Sequence, residues 1–406
     1  MQQLTIKKNK EVSLQRQHPW IFSGALYTIP TDLPSGAMVE VVDYNGNILA
    51  TGIYQPNSIA VRILHFGKVT NWDTFWLDKI EKAYLLRRNI GLINNTSTTA
   101  YRLIHGEGDG LSSLIIDVYT NVDNITYFVI QCHTSGLQAF LPKIQEALHQ
   151  LYHSHTTIGG VFDKSGDILE GIENRYLVGE TPAKLPFIIN ENNHLFSIDW
   201  EKGQKTGFFL DQRNNRQRLH EYVQNYLGTN NEVCNVLNLF SYTAGFSVYG
   251  LCAGATKVVS VDASKTAISL GNDNVQLNTN INSELHTSEV ADVLHYLKTI
   301  PNEYDIIIVD PPAFAKHLSA KHKAIQAYKR INGMAIQQVK KGGFIFTFSC
   351  SQVITSDLFK GAVTAAAIEV GRDVRIIEHL CQPADHPINI YHPEGNYLKG
   401  LILQVV

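Results

Sequence analysis

The C-terminal half of the chain is predicted to be a doubly wound α/β domain, preceded by a small β-rich barrel-like module and a middle α+β region. Three observations predict this. After Lys205, apolar runs of strand length alternate with helical segments, the sequence form of a parallel sheet covered on both faces. Before about residue 71, short apolar runs are broken by turn signals instead. The chain has 406 residues, more than one ordinary core of roughly 100–200 residues accommodates. The expected domains are residues 1–71, 72–190 and 191–406.

Composition narrows the class. With 44% hydrophobic and 17% charged residues, large cores can form without disulfides or metals. Cys132, Cys234, Cys252, Cys350 and Cys381 are scattered, with no C-x-x-C pair and no histidine cluster at ligand spacing. A reduced, cytoplasmic setting and no metal site are therefore expected. The N-terminal MQQLTIKKNKEV has no apolar run, and no window approaches the ~18 apolar residues of a membrane span. Neither export nor membrane insertion is expected. A net charge of −3 argues against wholesale coating by nucleic acid, while leaving room for local basic patches.

In the first module the turn signals are Pro30 to Gly36, Tyr44-Asn45-Gly46-Asn47 and Gln55-Pro56-Asn57. Asn71-Trp72-Asp73 offers an N-cap to a helix with Phe75, Trp76, Ile80, Tyr84 and Leu85 at helical spacing, ending near Arg88. The middle region has strand-like runs at Leu114 to Val118 and Tyr127 to Gln131 around an amphipathic stretch, Leu137 to Leu151. No internal repeat or low-complexity tract is present.

The chemistry begins where the apolar strand from Val233 runs into Asn238-Leu239-Phe240-Ser241-Tyr242-Thr243-Ala244-Gly245-Phe246. Gly245 would let backbone approach a ligand, and Asp262, closing the strand Lys257 to Val261, stands where a carboxylate can bind ribose hydroxyls. A dinucleotide loop needs several glycines to receive a pyrophosphate. This loop has one, which suits a ligand without phosphates, such as S-adenosyl-L-methionine. An ordinary βαβ unit with a surface Asp is the alternative for these two strands alone. The strand Tyr304 to Val309 then delivers Asp310-Pro311-Pro312-Ala313-Phe314, and Gly343 to Phe348 delivers Ser349-Cys350-Ser351. Open α/β sheets bind ligands at this edge. The two prolines stiffen the turn and leave carbonyls and Asp310 to meet a flipped base. A free cysteine in such a place is usually inert packing, but the flanking serines imply a polar, partly exposed setting, where a nearby cation could favour thiolate. Cytosine chemistry would use it: thiolate addition at C6 makes C5 nucleophilic, with Asp310 stabilising N3.

These residues resemble the RlmI-type large-subunit (23S) rRNA cytosine-C5 methyltransferases, over nearly the whole chain. The resemblance is carried by HPWIFSG at 18–24, RLIHGEGDGL at 102–111, GQKTGFFLDQR at 203–213, Asp-Pro-Pro at 310–312 and Phe-Ser-Cys-Ser at 348–351. Asp385-His386-Pro387 and Tyr397-Leu398-Lys399-Gly400 complete it in the family's order. It implies an N-terminal PUA domain for RNA, a middle domain, a Rossmann-like methyltransferase domain, ribosomal RNA as partner and a homodimer. Its cofactor contacts carry over onto Phe209, Asp211, Arg213, Asn238, Phe240, Ser241, Tyr242, Ala244, Gly245, Asp262, Ala263, Ser264, Asp292, Asp310 and Pro311. Cys350 is the implied nucleophile, and Asp292 the residue at the adenine amino group. Two departures stand out. Ala244 replaces a second glycine, implying a tighter loop. Ala313 stands where many RNA cytosine-C5 methyltransferases keep another cysteine for product release, so the base that takes the C5 proton is unassigned.

The run from Lys316 to Lys341 contains Lys316, Lys321, Lys323, Lys329, Arg330, Lys340 and Lys341 and no acidic residue. Lys316, Lys321, Lys323, Lys329 and Arg330 are expected to grip RNA phosphates, with a solvated helix face as the alternative. Trp20 and Phe22 are expected to pack in a core rather than stack on a base. His105, Asp109, Asp385 and His386 are expected to cap turns or orient loops. Two other functions fit part of the pattern: guanine N-methylation, and an RNA-binding assembly factor without catalysis. Phe314 comes one place later than the aromatic residue of amine-methylating enzymes, which favours C5.

Overall fold

The structure, a computed structural model, describes residues 1–182, 186–229, 232–315 and 317–406. It divides into two compact units. One comprises Met1–Asn190, Ile198–Leu210 and Ala384–Gly395; the other comprises Glu191–Ser197, Asp211–Pro383 and Asn396–Val406. Among the described residues no helix is long and apolar enough to cross a membrane.

The first unit holds two five-stranded sheets. One runs in the order Gln2–Thr5, Met38–Val42, Ile48–Tyr54, Ile59–Phe66, Trp20–Phe22. It closes over Leu4, Ile21, Val39, Val41 and Val61, the inward-facing members of its short runs. The other runs Arg175–Gly179, Thr157–Asp163, Ile125–Cys132, Leu114–Thr120, Ala100–His105. Two helices cover its apolar face. Trp72–Asn89 starts where Asn71 Oδ1 accepts from the amide of Asp73 and ends with Arg87 and Arg88 in its last turn, where cations complement the helix dipole. Leu141–Tyr152 buries Leu141, Ile144, Ala147, Leu148 and Tyr152. The amphipathic stretch expected from Leu137 therefore opens with a 3₁₀ segment, Ser135–Phe140, and Pro142 marks the first helical turn. Ile53 and Leu64 of the first sheet join the core of the second, so the two sheets pack as one body.

One expectation needs correcting here. Phe22 is not core: it is 47% exposed. Trp20 is half-buried, its Nε1 donating to Glu107 Oε1 at 2.7 Å with the Arg62 guanidinium over its ring. The short β-strand pairs at its own edge only, which leaves alternate side chains outside the barrel.

Two segments far apart in sequence meet in this unit. Arg87, fully buried, donates to both carboxylate oxygens of Asp109 at 2.5 and 2.8 Å and to the carbonyl of Asp385 at 2.7 Å. Asp385 Oδ2 accepts from the amide of Arg102, and Arg102 forms a bidentate pair with Asp117. Gly108 lies against Pro387, whose carbonyl oxygen would be 1.9 Å from any added Cβ. Asp109 and Asp385 thus orient loops, as expected.

The second unit is the doubly wound domain. Its strands are β1 (Asn235–Leu239), β2 (Lys257–Asp262), β3 (His286–Val290), β4 (Tyr304–Val309), β5 (Val339–Ser349), β6 (Val374–Leu380) and β7 (Lys399–Val405). They form one sheet in the order β3-β2-β1-β4-β5-β7-β6. Neighbours are parallel except β7, antiparallel to both β5 and β6. The helices are α1 (Arg213–Gly228), α2 (Gly245–Cys252), α3 (Lys265–Leu277), the short α4 (Val293–Tyr296), α5 (Lys321–Gln338) and α6 (Ser356–Val370). Leu237, Val259, Ile307 and Ile345 of the strands pack on Tyr328, Ile331 and Ala335 of α5 and Phe359 and Val363 of α6. Burial on both faces explains why β1 and β4 are largely apolar rather than alternating. The chain reverses direction across the sheet between β1 and β4, and such a switch point opens a crevice at the strands' carboxyl ends.

Candidate active site at the carboxyl edge of the sheet

The loop after β1 is held in an unusual shape. Phe240, Tyr242 and Ala244 all adopt left-handed backbone, with φ of 56°, 46° and 60°, a conformation that costs non-glycine residues of order 1 kcal/mol or more each and clusters at binding sites. Neighbouring strands keep it there. The amide of Ser241 donates to Val261 O at 3.0 Å, and the amide of Tyr242 to Asp262 Oδ2 at 2.9 Å. Asp262 Oδ1 accepts from the amide of Ser264 at 2.8 Å, while Ser264 Oγ caps α3 at Ala267. Ala244 is buried and tolerates its left-handed turn, so the loop closes without the second glycine. Gly245 also has a packing reason. Its backbone is ordinary helix, and a Cβ there would lie 3.1 Å from Arg216 Cδ. Arg216 is itself fixed by a buried bidentate pair with Glu191, both contacts at 2.8 Å, and Tyr249 Oη donates to the same carboxylate. Arg216 thus sets the start of α2 from below.

Asp292 ends the next strand's loop. It is exposed and caps α4, Oδ1 accepting from the amide of His295 at 2.8 Å. Ala263 is likewise exposed. Asp211 and Arg213 are buried at the start of α1, with Tyr397 Oη donating to Asp211 Oδ2 at 2.8 Å. Phe209 belongs to the first unit, where Lys205 Nζ lies over its ring at 4.2 Å.

Asp310 and Cys350 follow adjacent parallel strands, β4 and β5. Gln212 Nε2 donates to Asp310 Oδ2 at 3.0 Å, and Asn215 in turn donates to Gln212 Oε1 at 2.6 Å. The Cys350 thiol approaches the carbonyl of Pro311 at 3.8 Å, and Ser351 Oγ donates to Ala315 O at 2.6 Å. The two strand-end loops are therefore pinned together. Cys350 is partly exposed, but its neighbours Ser349 and Ser351 are buried. The partly exposed setting expected for the thiol is found, while the flanking serines are themselves buried and Ser351 fastens the loop to Ala315. By contrast burial pushes the thiols of Cys132 and Cys234 up to about 12 and that of Cys252 to about 11, which leaves them unreactive.

Comparison with known proteins identifies the chain. Residues 172–400 match the S-adenosylmethionine-dependent methyltransferase family, and residues 4–66 match the PUA-like domain. The chain is 37% identical over 416 aligned positions to ribosomal RNA large subunit methyltransferase I of Escherichia coli O139:H28 (strain E24377A / ETEC), covering 99% of both. The protein belongs to the ribosomal RNA large subunit methyltransferase I family. The Shigella dysenteriae serotype 1 (strain Sd197) member is equally similar, at 37% identity over 99% of this chain and 98% of its own. A Streptococcus mutans structure, solved as a candidate SAM-dependent methyltransferase, shares the fold over 100% of both chains, with a TM-score of 0.82 and 24% identity. Its cofactor, as a member of the S-adenosylmethionine-dependent family, is S-adenosylmethionine. The strand-end crevice fits that group. Asn238 Oδ1 and Ser241 Oγ are buried there with no hydrogen-bond partner among the described residues, which is costly unless a ligand supplies one.

Within this family member the basic run is not one patch. Lys316 lies outside the described residues. Lys321 and Lys323 open α5, the helix that follows the Asp310–Phe314 turn, with no acidic residue in its first turn. Lys329 and Arg330 lie ~9–14 Å further along the helix, and Lys329 is ion-paired with Glu369. Lys340 pairs with Asp305 at 2.9 Å, at the opposite edge of the sheet. Gln212, Arg216 and Lys399 escaped sequence reasoning as site residues. Gln212 and Lys399 had a signal, their places in the GQKTGFFLDQR and Tyr397-Leu398-Lys399-Gly400 segments.

Proposed function

We propose that the protein methylates C5 of a cytosine in 23S rRNA through a covalent adduct of Cys350. The observation that carries this reading is the pinning of Cys350 beside Asp310 at neighbouring strand ends, next to a cofactor loop with unsatisfied polar atoms. The names of the relatives support ribosomal RNA as substrate. Residues 1–71 would bind RNA, residues 72–190 would form the middle domain, and residues 191–406 would carry the chemistry.

The Cys350 thiolate forms a bond to C6 of the cytosine, and the C5–C6 π pair shifts to make C5 nucleophilic. As negative charge develops in the ring, N3 takes up a proton from solvent and its N–H donates to the Asp310 carboxylate, which Gln212 orients; N3 returns that proton when the adduct breaks down. S-adenosylmethionine, when bound, supplies the electrophilic methyl group. Asp262 and Asp292 would hold its ribose and adenine, and the 238–245 loop its amino-acid end. Loss of the C5 proton to a solvent-derived base then restores the ring as the C6–S bond breaks and its electron pair returns to Cys350. Ala313 cannot assist that release. Lys321 and Lys323 hold RNA phosphates beside the catalytic turn; their cationic charge at a helix N-terminus is unfavourable by itself and calls for an anion.

Incubation with rRNA and methyl-labelled cofactor, followed by nucleoside analysis, tests the proposal. Labelled 5-methylcytidine is the expected product. A labelled N-methylguanosine, or no labelled nucleoside on several rRNA substrates, would contradict it.

A further inference from the structure

Lys399 stands directly opposite Ser349 in the β5–β7 ladder and is only 6% exposed. Its Nζ donates to the carbonyl of Ser351 at 2.7 Å. That bond uses one of three ammonium donors, and no carboxylate pairs with Lys399 among the described residues. A buried cation without a counter-charge is costly, and proteins normally pair or neutralise it. The carbonyl it holds and the residue it stands opposite flank Cys350 in the chain, and a Cys350 thiolate acts on its charge.

We propose that Lys399 is the charge partner of Cys350: its ammonium, held on the Ser351 carbonyl, stabilises the thiolate that attacks the base. The proposal deepens the reading of Cys350 as nucleophile and rests on it. On ionisation the S–H bond breaks, the proton passes to solvent water, and the electron pair stays on sulfur facing an ammonium that keeps its three protons. Two described groups near the thiol favour a cation beside it. Asp310 follows the neighbouring strand and brings a negative charge. Tyr328 of α5 faces both, and burial, with Cys350 and Asp310 adding to it, holds its phenol up at about 12, so it is uncharged at neutral pH and offers no compensation. An anion forming beside Asp310 is disfavoured unless a cation offsets it, and Lys399 is placed to do so. Burial pulls the Lys399 ammonium down and a Cys350 thiolate opposes that pull, which leaves it at about 8. The two groups are therefore coupled in their titration.

A purely structural Lys399, strapping the Ser351 carbonyl, would leave the thiol's ionisation alone. The test is alkylation of Cys350 by iodoacetamide in the full chain, followed by peptide mass spectrometry across about pH 5.5–9.5, since only the thiolate reacts. The exposed Cys381 is the internal reference. Lys399→Met is expected to move the Cys350 midpoint up by about one pH unit and slow its alkylation about tenfold near neutral pH. Lys399→Arg should restore it, and Cys381 should not change. An unchanged Cys350 midpoint in folded Lys399→Met overturns the proposal. If that variant fails to fold, the wild-type profile decides: a Cys350 midpoint below that of Cys381 supports the pairing, and one at or above it refutes it. Alkylation needs no methyl transfer, so the nucleophile reading fails separately, through retained turnover in Cys350→Ala.

Discussion

Arg87 in the first unit and Lys399 in the second are both buried cations contributed to or surrounded by family segments, yet their hydrogen bonding differs. Arg87 uses all of its donors, reaching the carbonyls of Ala83, Arg102 and Asp385 and both oxygens of Asp109. Asp109 also accepts from the amide of His105 at 2.6 Å. Lys399 has one carbonyl, and a Cys350 thiolate acts on its charge. A closed network fixes a single arrangement of loops and has nothing left to offer a substrate. An open one keeps charge available beside a reactive atom, which is what chemistry needs. The same contrast separates Lys340, paired with Asp305 at the amino edge of the sheet, from the unsatisfied Asn238 and Ser241 at its carboxyl edge.

Breaking the closed network should have the largest effect on the fold. Arg87→Met leaves Asp109 buried without its cation and is expected to cost about 3–5 kcal/mol of stability, read as a lowered denaturant midpoint; a loss below about 1 kcal/mol would mean the network is not closed. At the open edge, Asp262→Asn keeps the side chain's shape but removes the charge proposed to hold ribose. Calorimetry should show S-adenosylmethionine binding weakened by about tenfold or more, with about 1–3 kcal/mol of stability lost because the amide cannot accept from both backbone N–H groups. Equal affinity would place the ribose elsewhere. The smallest effect is expected from the surface. Reversing Lys321 and Lys323 to glutamate should weaken RNA binding several-fold and flatten its salt dependence by roughly one to two units of slope. Lys340→Ala, at the opposite edge, should leave that slope alone. If both variants behave alike, the basic run does not distinguish the edges.

Much of this was legible in the sequence because local rules govern it. Asn71 caps its helix, β1, β2 and β4 are largely apolar runs of strand length, and Asp262, Asp310 and Cys350 each fall where such a run stops. The remainder depends on partners distant in the chain. Nothing in the residues near Cys350 announces that β7 inserts between β5 and β6 and sets Lys399 against Ser349. The packing of Arg216 against Gly245 is likewise invisible in the local sequence. Phe22 reads as core because hydrophobicity alone does not say which face of a three-residue strand turns outward. Antiparallel insertion, long-range ion pairs and the sidedness of short strands are properties of topology rather than of local pattern.

The claim that Cys350 bonds to cytosine is tested most directly with RNA transcribed to carry 5-fluorocytidine, whose C5 substituent cannot leave as a proton. With S-adenosylmethionine present, the wild-type protein is predicted to accumulate a denaturation-resistant complex with this RNA, with the crosslinked peptide containing Cys350, and Cys350→Ala is predicted to form none. A complex that persists in Cys350→Ala, or its absence from a wild-type protein that methylates the unmodified RNA, would contradict the account.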